Sequence, residues 1–74
     1  MIPIKKIGKI IEGEYRDWLI AIEPLYPKGE FDSNLVLFWK IDGTNGFDEY
    51  FETIKDAKEY VSEFNIEWTD EDYS

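Results

Sequence analysis

Apolar and polar positions alternate in short runs through the first two thirds of this chain, and then change to a helical spacing. Trp18, Ile20 and Ile22 fall on one face of an extended segment, with Leu19 and Ala21 on the other. Before it, residues 2–11 are rich in isoleucine interrupted by Lys5, Lys6 and Lys9. That pattern suits a first or edge strand, because lysines on an edge discourage pairing between chains. Pro24, Pro27 and Gly29 break the alternation and predict a loop over 24–33. Residues 34–41 are the strongest strand, with Leu35, Leu37, Trp39 and Ile41 facing one way and Val36 and Phe38 the other. Asp42, Gly43, Thr44, Asn45 and Gly46 then form a turn.

The next stretch admits two readings. Phe47, Tyr50, Phe51, Ile54, Ala57, Val61 and Phe64 recur at helical spacing, so one helix over 47–64 fits. A short strand over 47–52, followed by a helix that starts at a Thr53 cap, also fits. Thr53 has Asp56 three residues on, in the manner of a capping box. The aromatic enrichment and the preceding turn favour the strand. Both readings put a helix over 54–64, with Asn65 as its stop. Residues 66–68 can return as a last short strand, and 69–74 read as a frayed polar end. The predicted class is α+β: a small antiparallel sheet of four to five strands with one C-terminal amphipathic helix packed on a face. Residues 1–74 form a single domain, because so short a chain cannot build a second core.

Composition makes that core feasible. A domain of this size buries only about 60% of its unfolded surface, but three Trp, five Tyr and five Phe are present. Each such ring can bury roughly 150–250 Å². There is no cysteine, hence no disulfide framework and no thiolate metal site, which leans towards the cytoplasm. The longest apolar runs, 18–22 and 35–39, fall far short of the ~20 residues of a membrane span. The lysine-bearing N-terminus lacks the apolar stretch of a signal peptide.

The charge is divided unevenly. Residues 1–40 are balanced, whereas residues 41–74 carry eleven acids against Lys55 and Lys58, so the whole net charge of −9 lies there. Such a field repels nucleic acid and anionic lipid and attracts basic protein surfaces. On the helix, Asp56, Glu59 and Glu63 form a stripe opposite Ile54, Ala57, Val61 and Phe64. Asp48 and Glu52 join that stripe if the helix extends back to 47. Glu59 and Glu63 are like charges at i,i+4, an arrangement that slightly destabilises a helix and gains sense if a basic partner meets it.

The residues that move protons or attack carbonyls are missing. With no His and no Cys, Ser–His and Cys–His nucleophiles are excluded, and no catalytic residue is expected. Paired carboxylates such as Glu12 with Glu14 or Asp48 with Glu49 would need a cleft that one small core rarely offers. The turn from Asp42 has oxygen donors at Asp42 and Thr44, but Gly46, Phe47 and Thr53 stand where a calcium loop needs a ligand, a glycine and a bidentate glutamate. No metal and no cofactor are expected.

Residues 50–68 resemble a segment of small bacterial proteins, some of them immunity proteins that neutralise a toxin encoded beside them. The matching positions are Tyr50, Thr53, Asp56, Ala57, Tyr60, Phe64 and Trp68: an aromatic strand end, a capped amphipathic helix with a core-facing alanine, then a turn and a tryptophan. Tyr60 stands where those proteins usually have a small residue. The resemblance implies a non-catalytic immunity or inhibitor role and carries no catalytic residue with it.

The expected function is thus an acidic inhibitor or immunity-type protein that masks a basic surface of a toxin or nucleic-acid-binding protein, an array of carboxylates also being able to mimic nucleic acid. The expected contact residues are Asp48, Glu49, Glu52, Asp56, Glu59 and Glu63, with Tyr50 and Tyr60 as anchors. Direct nucleic-acid or membrane binding is not expected. The alternative is a homo-oligomeric structural module. One helix covers one face of a small sheet, so the second face needs the 24–33 loop, a second copy of the chain or another protein, and Phe38 is a candidate for that second face.

Overall fold

The computed structural model describes residues 2–25 and 33–73. The elements follow in the order β1 (Lys6–Ile10), β2 (Trp18–Pro24), β3 (Asn34–Lys40), β4 (Gly46–Phe51), α1 (Ile54–Val61) and β5 (Ile66–Asp72). The strands form one sheet in the spatial order β4-β3-β2-β1-β5, and every neighbouring pair is antiparallel. β1 to β4 are a meander. The helix then carries the chain across one face to the opposite edge, where β5 pairs with β1.

The antiparallel α+β expectation needs correction at the C-terminal end. The helix is not the C-terminal element: a full strand follows it. The predicted frayed end is also wrong over 69–72, which belong to β5. The cause is the outer edge of β1, which presents backbone groups that need partners. β5 supplies them, the Ile11 N–H bonding the Asn65 carbonyl and the Tyr73 N–H the Lys5 carbonyl, both at 2.9 Å. β1 is consequently an interior strand and not an edge. The 47–52 ambiguity resolves as strand β4.

α1 is shorter than the predicted 54–64. Thr53 caps it, its Oγ1 accepting the Asp56 N–H at 3.1 Å. At the far end the Ser62 hydroxyl donates to the Glu59 carbonyl. The Glu63 and Phe64 N–H groups then tighten onto the carbonyls of Tyr60 and Val61 three residues back. Glu63 and Phe64 therefore lie in a turn beyond the helix.

The core lies between the helix and one sheet face. Ile10, Ile20, Ile22, Val36 and Phe38 from the sheet and Ala57 and Val61 from the helix are buried. Phe38 stacks on Phe47 at 4.5 Å between ring centroids and meets Phe64 edge-on at 5.4 Å. The helix thus covers the Val36/Phe38 face, so Phe38 does not belong to the second face. That face carries Ile7, Leu19, Ala21, Leu35, Leu37 and Trp39, with the Tyr73 ring seated 5.6 Å from the Trp39 indole. Residues 26–32, the greater part of the loop expected to cover it, lie outside the described residues.

Candidate functional site

The topology gives the charge asymmetry a spatial meaning. The strands β1, β2 and β3 form the interior of the sheet, and they come from the balanced part of the chain. The acidic part supplies both edge strands, the helix that crosses the face, and the turns between. Asp48 and Glu49 lie on β4, Asp56 and Glu59 on α1, and Glu67, Asp70, Glu71 and Asp72 at or along β5. Among the described residues two ion pairs form, Lys6 with Asp72 and Lys9 with Asp17, the latter at 3.7 Å. Both are solvent-exposed and contribute little to stability. None of the six acids expected at the contact surface takes part in an ion pair among the described residues.

Those acids and the two tyrosines divide into two groups. On the helix side of the sheet, Glu49 and Glu63 come close enough to Tyr60 for their charges to act on its hydroxyl. Asp56 sits one turn before Tyr60 on the same flank of α1. Glu52 occupies the bend into the helix, and Glu59 points away from the core into solvent. Asp48 and Tyr50 alternate with Glu49 and so project from the opposite face of β4. Tyr50 is 55% exposed, with its hydroxyl 2.9 Å from Ser33 Oγ.

Tyr60 is an inward-leaning residue at the margin of the core, packed 5.1 Å from the Phe51 ring and 5.5 Å from Phe64. Burial raises its pKa above the ordinary value near 10, and the negative charges of Glu49 and Glu63 add to the rise. A raised phenol pKa stabilises the fold fully below the unfolded pKa, and that contribution is lost as pH rises through the folded value. Between pH 8 and pH 11 the urea midpoint should therefore fall more for the natural chain than for Tyr60→Phe. Equal falls would show that the Tyr60 hydroxyl is not desolvated. Lys6 shifts in the same direction, chiefly through its hydrogen bond to Asp72, so its alkaline loss is common to both proteins and cancels in the comparison.

The second face holds a feature that the sequence reading missed. Leu37 and Trp39 of β3, Gly46 and Asp48 of β4, and Tyr73 line an open groove of about 440 Å³. The alternation along β3 pointed to Leu37 and Trp39. Tyr73 gave no signal, because its segment reads as a polar tail. The turn weighed as a calcium loop closes on itself instead: the Thr44 N–H and hydroxyl both donate to Asp42 Oδ1, at 2.9 and 2.7 Å. Those bonds hold the Asp42 carboxyl below its usual pKa. Among the described residues no three His, Cys, Asp or Glu side chains converge where they could hold a metal ion. No helix among them is long and apolar enough to cross a membrane. Comparison with protein-family models, with curated proteins and with solved structures finds no match to this chain.

Proposed function

We propose that this chain is a non-catalytic, acidic protein-binding inhibitor of the immunity type, which masks a basic surface on a toxin or a nucleic-acid-binding protein. One observation supports this most: Glu49, Glu52, Asp56, Glu59 and Glu63 all lie exposed on the β4–α1 segment and its closing turn without a cation paired to any of them among the described residues. Two lysines on the helix, Lys55 and Lys58, do not offset them. Like charges gathered on one segment cost stability and are explained by a partner that neutralises them. Binding would occlude the partner's basic surface, and Tyr50, exposed on the opposite face of the same edge strand, would serve as an aromatic anchor for a partner that reaches around that edge. The same reading has the protein acting in the cytoplasm, which the lack of cysteine supports.

The test begins with affinity capture from the source organism's lysate, elution by a salt step, and identification of the released protein. With that protein in hand, Glu59→Lys combined with Glu63→Lys should slow association by roughly tenfold or more at low salt. At high salt the effect should shrink towards nothing, because exposed charges are screened within about 10 Å at 0.1 M. An unchanged rate at low salt would refute this surface.

A second reading is favoured by the second sheet face, where Leu19, Leu35, Leu37 and Trp39 are only half-buried. On this reading the chain is a homo-oligomeric module and its acids serve solubility. Sedimentation would then reveal a dimer that depends on concentration and not on salt.

A further inference from the structure

The two edges of the sheet differ in what their backbones leave open. Along β5 the outer edge is closed locally. The register slips between Lys6 and Gly8, and Thr69 Oγ1 accepts the Glu71 N–H at 3.1 Å while donating to the Ile7 carbonyl at 2.8 Å. Lys6 Nζ donates to the Asp70 carbonyl at 3.2 Å. Such bulges and local bonds blunt an edge against further pairing.

Among the described residues β4 has no bulge and no such local bond. It pairs with β3 in unbroken register from Gly46 opposite Trp39 to Phe51 opposite Asn34. The Lys40 N–H bonds the Asn45 carbonyl at 2.9 Å, and bonded and non-bonded pairs alternate along an antiparallel ladder. Phe47, Glu49 and Phe51 therefore turn their backbone groups towards β3, and Gly46, Asp48 and Tyr50 turn theirs outward. A regular row of outward N–H and C=O groups is a template for an added strand.

The groove of Leu37, Trp39 and Tyr73 opens onto this edge. Gly46 puts no side chain between the edge and the Trp39 ring, and Asp48, the next residue on that face, sets a carboxylate at the groove's rim. Glu49 stands on the opposite face of the same strand. An incoming strand thus meets acid on both of its faces. A second copy of this chain would bring Asp48 and Glu49 against their own equivalents, so like charges disfavour self-pairing.

We propose that β4 receives an extended, basic segment of the partner as an additional strand, one of whose Lys or Arg side chains crosses Gly46 into the Trp39–Tyr73 groove and ends at Asp48. Backbone pairing supplies affinity and the groove supplies selectivity, as in other strand-addition complexes. The aliphatic stem of the basic side chain lies on Leu37, and its cation meets the aromatic faces and the carboxylate. This rests on the reading of a basic partner and adds how that partner is held.

The test uses the full chain, isotope-labelled, titrated at low salt with a short synthetic peptide that alternates Val and Arg. Amide exchange at Asp48 and Tyr50 should slow by about tenfold or more, and the Trp39 indole resonance should shift. The same peptide N-methylated on alternate amides, which cannot pair with a strand, should lose this binding. Asp48→Asn should weaken the unmodified peptide by roughly threefold to fivefold. Equal binding of both peptides, with shifts confined to Asp56, Glu59 and Glu63, would overturn strand addition and leave the acidic surface standing. Protection at β5 in place of β4 would also overturn it. Binding of neither peptide at low salt would remove the basic-partner reading and this inference together.

Discussion

Phe38→Ala should lower the melting temperature by roughly 15–30 °C, the largest loss expected of any single truncation in this chain. Phe38 is 2% exposed and lies on β3, an interior strand, on the core face of the sheet. Its ring stacks on Phe47 at 4.5 Å and is met by Phe64, Tyr15 and Tyr60 at 5.4, 5.9 and 6.1 Å. Removing it opens a cavity that four other aromatic side chains, each anchored on a different segment, cannot jointly collapse into. Truncations of this kind cost about 3–5 kcal/mol. A chain of this length has on the order of 4–11 kcal/mol to lose. Trp39→Ala is the control, since it removes a larger ring from the next residue on the half-buried opposite face. Thermal melts of the two variants should differ by at least a factor of two in the shift. Equal shifts would mean that the helix does not define the core side. The comparison also bears on the oligomeric reading: Phe38→Asp would unfold the chain, so a dimer through the second face must be probed at Leu37 or Trp39.

How far the fold can be read from the sequence depends on which force holds each element. β3 was legible because burial imposes a period of two on residues 34–40, and β2 because an apolar run over 18–22 stands between a turn and Pro24. The helix start was legible because Thr53 and Asp56 stand at capping distance, and the bond is made. Residues 47–52 were not decided by pattern, since Phe47, Tyr50, Phe51 and Ile54 recur at helical spacing while Phe47 and Phe51 also share one face of a strand. In the sheet, Phe47 and Phe51 reach the core with the exposed Glu49 between them. β5 beyond Trp68 left no apolar trace at all. Residues 69–72 are held by backbone bonds to β1 and by the Thr69–Ile7 and Lys6–Asp72 contacts, and an edge strand guarded by acids looks like a solvated tail. The candidate site has the same limit. Its carboxylates were visible as composition, but the facts that both edges are acidic and that Tyr73 meets Trp39 depend on strand order. Strand order brings together residues that sequence spacing does not connect.

Gly8→Ala should destabilise the protein by about 1–3 kcal/mol, although the change adds one methyl group and removes a flexible residue from a strand. Taken alone, replacing glycine in an extended segment stabilises by about 0.4–1 kcal/mol through the unfolded chain. Space decides the outcome against it. Gly8 is buried directly opposite Trp68 in the β1–β5 ladder. A Cβ there would overlap the Ile66 Cγ2 methyl and lie 2.8 Å from the Trp68 ring. Ile66 and Trp68 are the two apolar side chains of β5, and both pack on the core, so the methyl cannot be admitted without lifting the strand's whole hydrophobic attachment. Amide exchange should accelerate first along β1 and β5, while β3 and β4 keep their protection. A Trp68→Leu change in the Gly8→Ala background should cost less than it does alone, because the shared crowding makes the two non-additive. An unchanged melting temperature for Gly8→Ala would show that β5 is not seated against β1 as described. β5 and β4 are opposite edges of the sheet, but Tyr73, which follows β5, lines the groove. The folded variant should therefore keep backbone pairing of a basic strand at β4, read as slowed amide exchange at Asp48 and Tyr50, and weaken only the groove contact. Loss of stability without loss of that pairing would then separate the strand that completes the fold from the strand proposed to receive a partner.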